Sequence, residues 1–117
     1  KYLVFTEAFD ENSRRRTRYS LSTKIGESLA SGACILAYGP EEISSMRYLA
    51  ENRAACIIKN AEDAADAVRA LETEPGLYEG YVRRAAALSC AAHDPETNRR
   101  TVCELLRRVV EARGAQT

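Results

Sequence analysis

The chain has 117 residues, room for one hydrophobic core and not for two. Apolar residues make up 45% of it, and 17 basic residues balance 17 acidic ones, so an ordinary core is affordable and no whole-molecule field directs the chain to nucleic acid or anionic lipid. The longest apolar runs, such as Ala33–Tyr38, are far too short to span a bilayer, and four scattered cysteines lack CxxC spacing or a partnership with His93, which speaks against zinc.

Tyr2–Phe5 is a short continuous apolar run, as expected of a strand covered on both faces. It begins abruptly and without a signal peptide, so upstream sequence is expected to be missing. Asp10–Ser20 follows, with Asn12, Ser13 and four arginines and no periodicity, and reads as a loop; its length marks it for function. A helix is expected from Ser22 or Thr23, whose hydroxyls can cap free backbone N–H groups. Ile25, Leu29 and Ala30 share one helical face, and Gly32 takes the position after the last turn.

Ala33–Tyr38 is a second buried strand. Gly39-Pro40-Glu41-Glu42 reads as a helix start, with Pro in the first turn and two carboxylates at the positive end of the dipole. That helix carries Ile43, Met46, Tyr48 and Leu49 and stops at Asn52, and Ala54–Lys59 is a third strand. Strand, loop, helix, strand in repetition predicts parallel βαβ units with right-handed crossovers.

The rest reads as helix. Ala61, Ala64, Ala65, Val68 and Leu71 make one stripe, broken by Pro75-Gly76; Leu77, Tyr81, Ala85 and Leu88 make another. Asp94-Pro95 starts a last helix with Val102, Leu105, Leu106, Val109 and Val110 on one face. Cys34, Cys56, Cys90 and Cys103 each sit in an apolar run, where a cysteine behaves as a small hydrophobe; they are expected to be buried and reduced, as in a reducing cytosol.

Chemistry concentrates in Tyr19–Tyr38. In a parallel α/β sheet, ligands sit beyond the carboxyl ends of the strands, which is where the Ser22-Thr23-Lys24 helix start belongs. Free N–H groups, the dipole, two hydroxyls and a lysine converge there, an arrangement suited to a diphosphate. Glu27, one turn in, is placed to accept hydrogen bonds from the vicinal hydroxyls of a ribose, and Gly26 beside it would admit a close approach by backbone or ligand.

At these residues the sequence resembles the GT-B glycosyltransferases, family 4 in particular. Ser22-Thr23-Lys24-x-x-Glu27-x-Leu29-Ala30-x-Gly32 and the strand after it are similar to that family's P-S-K-x-x-E-Y-L-A-S-G-K-P-V. The match is strongest over Ser20–Pro40 and extends loosely over the whole chain. The resemblance implies a three-layer Rossmann-like parallel sheet, here partial with about three strands, flanking helices and a C-terminal helix. Residues 1–117 would form part of the nucleotide-sugar-binding domain, with the N-terminal acceptor domain of the same enzyme as its missing partner.

Residue by residue, it implies that Glu27 holds the ribose, that the backbone around Leu21, Ser22, Thr23 and Lys24 cradles the donor diphosphate, and that Lys24 touches a phosphate or the sugar. Tyr19 stands where the family often has a second acidic residue, so Tyr19, Ser20 and Arg18 are candidate donor or acceptor contacts. No side chain is expected to act as a nucleophile, because catalysis in this family is mostly positioning and stabilisation of the leaving diphosphate. The donor would be a substrate, with no separate cofactor and no metal. The location implied is cytoplasmic, peripheral to the membrane in the full-length enzyme. In the family's strand order, 3-2-1-4-5-6, these strands would be the 4-5-6 half. The first would then present an unpaired apolar edge open to self-association or to a partner.

Each feature also has a purely structural reading. Glu27 can be a solvated helix carboxylate, Ser22–Lys24 a cap, and Arg14, Arg15, Arg16 and Arg18 a solvated loop. Nucleic acid is disfavoured, because no aromatic residues interleave with the arginines. His93 fits a cap or a satisfied surface role, and Glu41 and Glu42 fit dipole partners. The rival function is a non-catalytic α/β regulatory or protein-interaction module, such as a receiver. That would need an acidic phosphoacceptor, and Asp10 beyond the first strand lacks an accompanying acidic pair.

Overall fold

The computed structural model describes residues 1–116. Three strands, β1 (Tyr2–Thr6), β2 (Cys34–Tyr38) and β3 (Ala55–Ile58), form one parallel sheet in the order β1-β2-β3. Tyr2 pairs with Cys34 and Thr6 with Tyr38, while Ile35 pairs with Ala55 and Tyr38 with Ile58. The α/β class, the parallel three-strand sheet and the flanking helices expected of the sequence are therefore present.

Alternation along the strands sorts side chains to two faces. Phe5, Ile35, Ala37 and Ala55 join Ile25 and Leu29 of α2 (Lys24–Ala30) and Met46 and Leu49 of α3 (Ser44–Glu51) in one buried cluster. Cys34, Leu36 and Ile58 meet Leu71 of α4 (Ala64–Thr73) in a second, against which Tyr78, Tyr81 and Val82 of α5 (Leu77–Ala92) are partly buried. Ala85 and Leu88, further along α5, reach the first cluster, so α5 spans both. Ile25, Ile35, Ile43 and Leu49 are fully buried, and truncating any of them to Ala would cost about 2–5 kcal/mol.

The sheet start is tied down by side chains. Tyr2 donates from its hydroxyl to Glu72, whose carboxylate also lies 2.6 Å from Lys1 Nζ, and Tyr78 donates to the Lys1 carbonyl at 2.9 Å. β1 has β2 on one side only, and Val4 on this edge strand is 67% exposed.

Several expectations are corrected. Asp10–Ser20 is not all loop: Glu11–Thr17 is a helix, α1. Asp10 caps it by accepting the Ser13 N–H at 2.9 Å, and Arg15 reaches back to Glu11 at 2.7 Å, a fitting i,i+4 pair. No residue of α1 is buried, which is why no apolar period announced it. The Pro40–Glu42 segment is likewise not helical: Ile43 N–H closes a turn on the Pro40 carbonyl at 3.2 Å, and α3 starts only at Ser44. Glu41 and Glu42 are thus not first-turn dipole partners; Glu41 pairs with Lys59 at 2.9 Å and Glu42 with Arg14.

Cys34 is buried and Cys56 half-buried, but Cys90 and Cys103 are exposed, since their helices turn those faces to solvent; all four are free. Desolvation, with a smaller contribution from Cys56, pushes the Cys34 thiol up to about 11, which keeps it neutral and inert at neutral pH. The last helix, α6 (Pro95–Gly114), forms as expected behind Asp94, whose carboxylate accepts the Thr97 N–H at 2.9 Å. Its apolar face is uncovered: Val102, Leu105, Leu106, Val109 and Val110 are each 54–69% exposed. No helix among the described residues is long and apolar enough to cross a membrane.

Candidate functional site

Segment 18–23 connects α1 to α2 and is held by the N-terminus of α3. The Arg18 carbonyl accepts both the Ser44 N–H, at 3.1 Å, and the Ser44 hydroxyl, at 2.6 Å. The Ser22 N–H donates to Oγ of the fully buried Ser45 at 2.8 Å. Ser44 and Ser45 therefore fix the candidate segment, and sequence reasoning missed both. Their hydroxyls act across more than twenty residues of chain, and a serine pair at a helix start signals only a local cap.

The helix start itself differs in detail from the expected cap. Thr23 is the N-cap residue of α2 but makes no side-chain capping bond. Ser22 does that work: its carbonyl accepts the Ile25 N–H at 3.2 Å and its hydroxyl the Lys24 N–H at 3.3 Å. Thr23, Lys24 and Glu27 are exposed and Ser22 half-buried. Ser28, next along the helix, turns its hydroxyl onto the Lys24 carbonyl at 2.7 Å.

Two clefts meet at Glu27. One, of about 470 Å³, runs along the open edge of β1 and is lined by Phe5, Thr6 and Glu7 together with Ser22, Lys24 and Glu27. The structure thus brings Ser22, Lys24 and Glu27 together, beside residues at the carboxyl end of β1. Glu7 is a second carboxylate in this cleft that the sequence did not single out. Its N–H donates to the Tyr38 carbonyl at 3.0 Å, which continues the ladder one residue past β1. The other cleft, of about 400 Å³, is lined by Thr23, Gly26 and Glu27 and by Ser89, Cys90, His93, Asp94 and Pro95 at the junction of α5 and α6.

Gly26 needs no glycine for space. A Cβ there would sit 3.7 Å from His93 Nδ1, an ordinary contact. The close approach is instead at Gly39, where a Cβ would fall 2.9 Å from Glu7 Cβ and 3.2 Å from Met46. His93 has the satisfied structural role expected of it: its Nε2 lies 2.7 Å from the Tyr48 hydroxyl, and its backbone N–H donates to Ser89 at 2.9 Å.

Leu21, Tyr19, Ser20 and Arg18 do not line either cleft at Glu27. Leu21 is 42% and Tyr19 85% exposed, and the Arg18 guanidinium stands 5.7 Å from the Tyr19 ring. Arg18 faces a different cleft, with Glu11, Arg14, Arg15 and Glu42. Glu42 bridges this side of the molecule, pairing with Arg14 through its carboxylate and accepting Arg47 Nη2 on its carbonyl at 2.9 Å. Its own backbone N–H, then Arg14, hold its carboxyl below the usual range.

Asp10, the sole acidic residue the sequence offered to a receiver-like reading, is engaged as the α1 cap. Among the described residues no group of three or more His, Cys, Asp or Glu side chains gathers as metal ligands would. Compared with family models, curated proteins and solved structures, the chain matches none of them. The class established here is an α/β protein with a three-stranded parallel sheet.

Proposed function

We propose that this chain is the donor-binding part of a GT-B type glycosyltransferase, which holds a nucleotide-diphosphate sugar while a second domain supplies the acceptor. The observation that carries the reading is the gathering of Ser22, Lys24 and Glu27 along one cleft with the carboxyl end of β1. That is where a parallel α/β sheet offers its loops to a ligand. In this reading Glu27 accepts the ribose hydroxyls and the Lys24 ammonium meets the diphosphate, while the Ser22 N–H, given to Ser45, fixes the segment rather than the ligand. The leaving diphosphate is stabilised by fixed donors and a lysine, with neither a nucleophilic side chain nor a metal. Tyr19, Ser20 and Arg18, which lie off this cleft, would meet the donor sugar or acceptor from the side.

Two further features agree with a part of a larger Rossmann-like domain. The uncovered edge of β1 is where another parallel strand would add, and the bare apolar face of α6 suits a helix that crosses to a second domain. In the chain alone, the same surfaces are routes to self-association.

Calorimetric titration with UDP-, GDP- and ADP-sugars tests the reading. One nucleotide is expected to bind the chain saturably, and Glu27→Ala is expected to weaken it about tenfold or more, the equivalent of losing one or two hydrogen bonds to a charged group. If every nucleotide sugar fails to bind, or if Glu27→Ala binds as the parent does, the donor site lies elsewhere or does not exist.

A further inference from the structure

α1 and the turn ahead of α3 enclose a cleft of about 650 Å³ lined by Arg14, Arg15, Arg18, Glu11 and Glu42. Three guanidinium groups face two carboxylates there, and Arg47 binds the Glu42 main chain beside them. The existing pairs are weak competitors for a ligand. Arg15 and Glu11 are 77% and 79% exposed, a pair worth a few tenths of a kcal/mol at most. Arg18 lies against the Tyr19 ring and acts on Glu42 only through space, and Arg14 is held by the half-exposed Glu42.

The Arg18 carbonyl is pinned by Ser44, and four residues later Ser22 is pinned by Ser45. The cationic cleft and the Ser22–Glu27 cleft are therefore anchored to the same helix end. Guanidinium forks recognise planar or tetrahedral oxyanions bidentately, and a concave setting concentrates their field.

We propose that the Arg14–Arg15–Arg18 cleft binds an anionic group, a carboxylate or a phosphate, carried by the sugar or by its acceptor. The carrier's identity rests on the donor-binding reading; the anion site itself does not. Glu42 is its built-in counter-ion, holding Arg14 in place and yielding as the ligand enters. Arg16, which follows Arg15 on α1 and does not line the cleft, contributes charge without contact.

The test is an NMR titration of the chain with glucuronate, glucose 6-phosphate and neutral glucose, reading arginine Nε–H signals and the backbone amides of 14–18 and 42. One or both anions are expected to saturate and glucose to do nothing; which anion saturates separates the carboxylate source from the phosphate source. Arg15→Gln and Arg18→Gln are each expected to weaken binding about tenfold, the loss of one charge-assisted contact. Arg16→Gln is expected to leave it within twofold, and Glu42→Gln to tighten it severalfold.

Equal losses in Arg16→Gln and Arg18→Gln would mean a diffuse field and overturn the site, as would shifts that never saturate. The Ser44 bonds run to the Arg18 carbonyl, which both variants keep, and Arg15→Gln gives a second reading at a position outside that link. Glu27→Ala serves as the separating arm. If it abolishes nucleotide-sugar binding while leaving the anion titration intact, the two sites are independent, and failure of either reading shows in its own titration.

Discussion

At the scale of single residues, Gly39 is the glycine with least room for a side chain. Its added Cβ would press on the Cβ of Glu7, which belongs to the strand end and cannot swing away, and on the Met46 side chain. Gly39→Ala is therefore expected to destabilise by about 1–3 kcal/mol, the usual cost of overpacking. Because Glu7 lines the same cleft as Glu27, the variant is also expected to perturb that cleft. Urea denaturation checks the first expectation; an unchanged midpoint would mean that β1 and α3 part easily.

That Ser22, Lys24 and Glu27 lie close together was legible in the sequence, because they fall at one helix start. Glu7, Ser44 and Ser45 were not. Glu7 is placed by the strand end it follows, and Ser44 and Ser45 act through hydrogen bonds to Arg18 and Ser22 more than twenty residues away, which no local pattern marks.

At the scale of elements, the strands and the longer helices could be read because continuous apolar runs and 3.6-residue stripes record burial directly. α1 could not, since capping and charge pairs alone define its two turns. Asp10 and Asp94, the caps of α1 and α6, titrate below the usual aspartate value of 3.8; backbone N–H donation from Ser13 dominates for the first, and the Thr97 hydroxyl for the second. A depressed carboxyl in the folded state contributes stability above its unfolded pKa and loses it as pH falls through the folded value. Both helix ends are thus expected to hold at neutral pH and to fray as the pH drops below about 4.

Asp94→Ala is expected to loosen the first turn of α6 more at pH 7 than in acid, where the carboxylate it removes is already protonated. Amide exchange at 96–98 measures it, and a pH-independent difference would contradict the cap. The start of α3 was misplaced for a related reason. Pro40 and two glutamates satisfy every local rule for a first turn, yet those glutamates are drawn to Arg14 and Lys59.

At the scale of the molecule, the chain is elongated, 65 × 34 × 18 Å, and α6 presents five large aliphatic side chains to solvent. That exposure, with the open edge of β1, predicts association of the isolated chain at concentrations well above micromolar. Replacing Leu106 and Val109 by Glu is expected to restore a monomer in sedimentation if α6 is the contact, and Val4→Lys to do so if the strand edge is. Neither change should cost more than about 0.5 kcal/mol of stability, because all three sites are solvent-facing. A parent chain that stays strictly monomeric would show these surfaces to be self-sufficient.

The central claim, that Ser22–Glu27 is a nucleotide-sugar cradle, is tested most directly by mapping. Amide shifts of the labelled chain are followed while the nucleotide sugar that binds in calorimetry is added. The account predicts that the largest changes fall on residues 21–28 and on Glu7, with β3 and α4 silent. Changes centred on any other surface, or uniform small drifts over the whole chain, would contradict it.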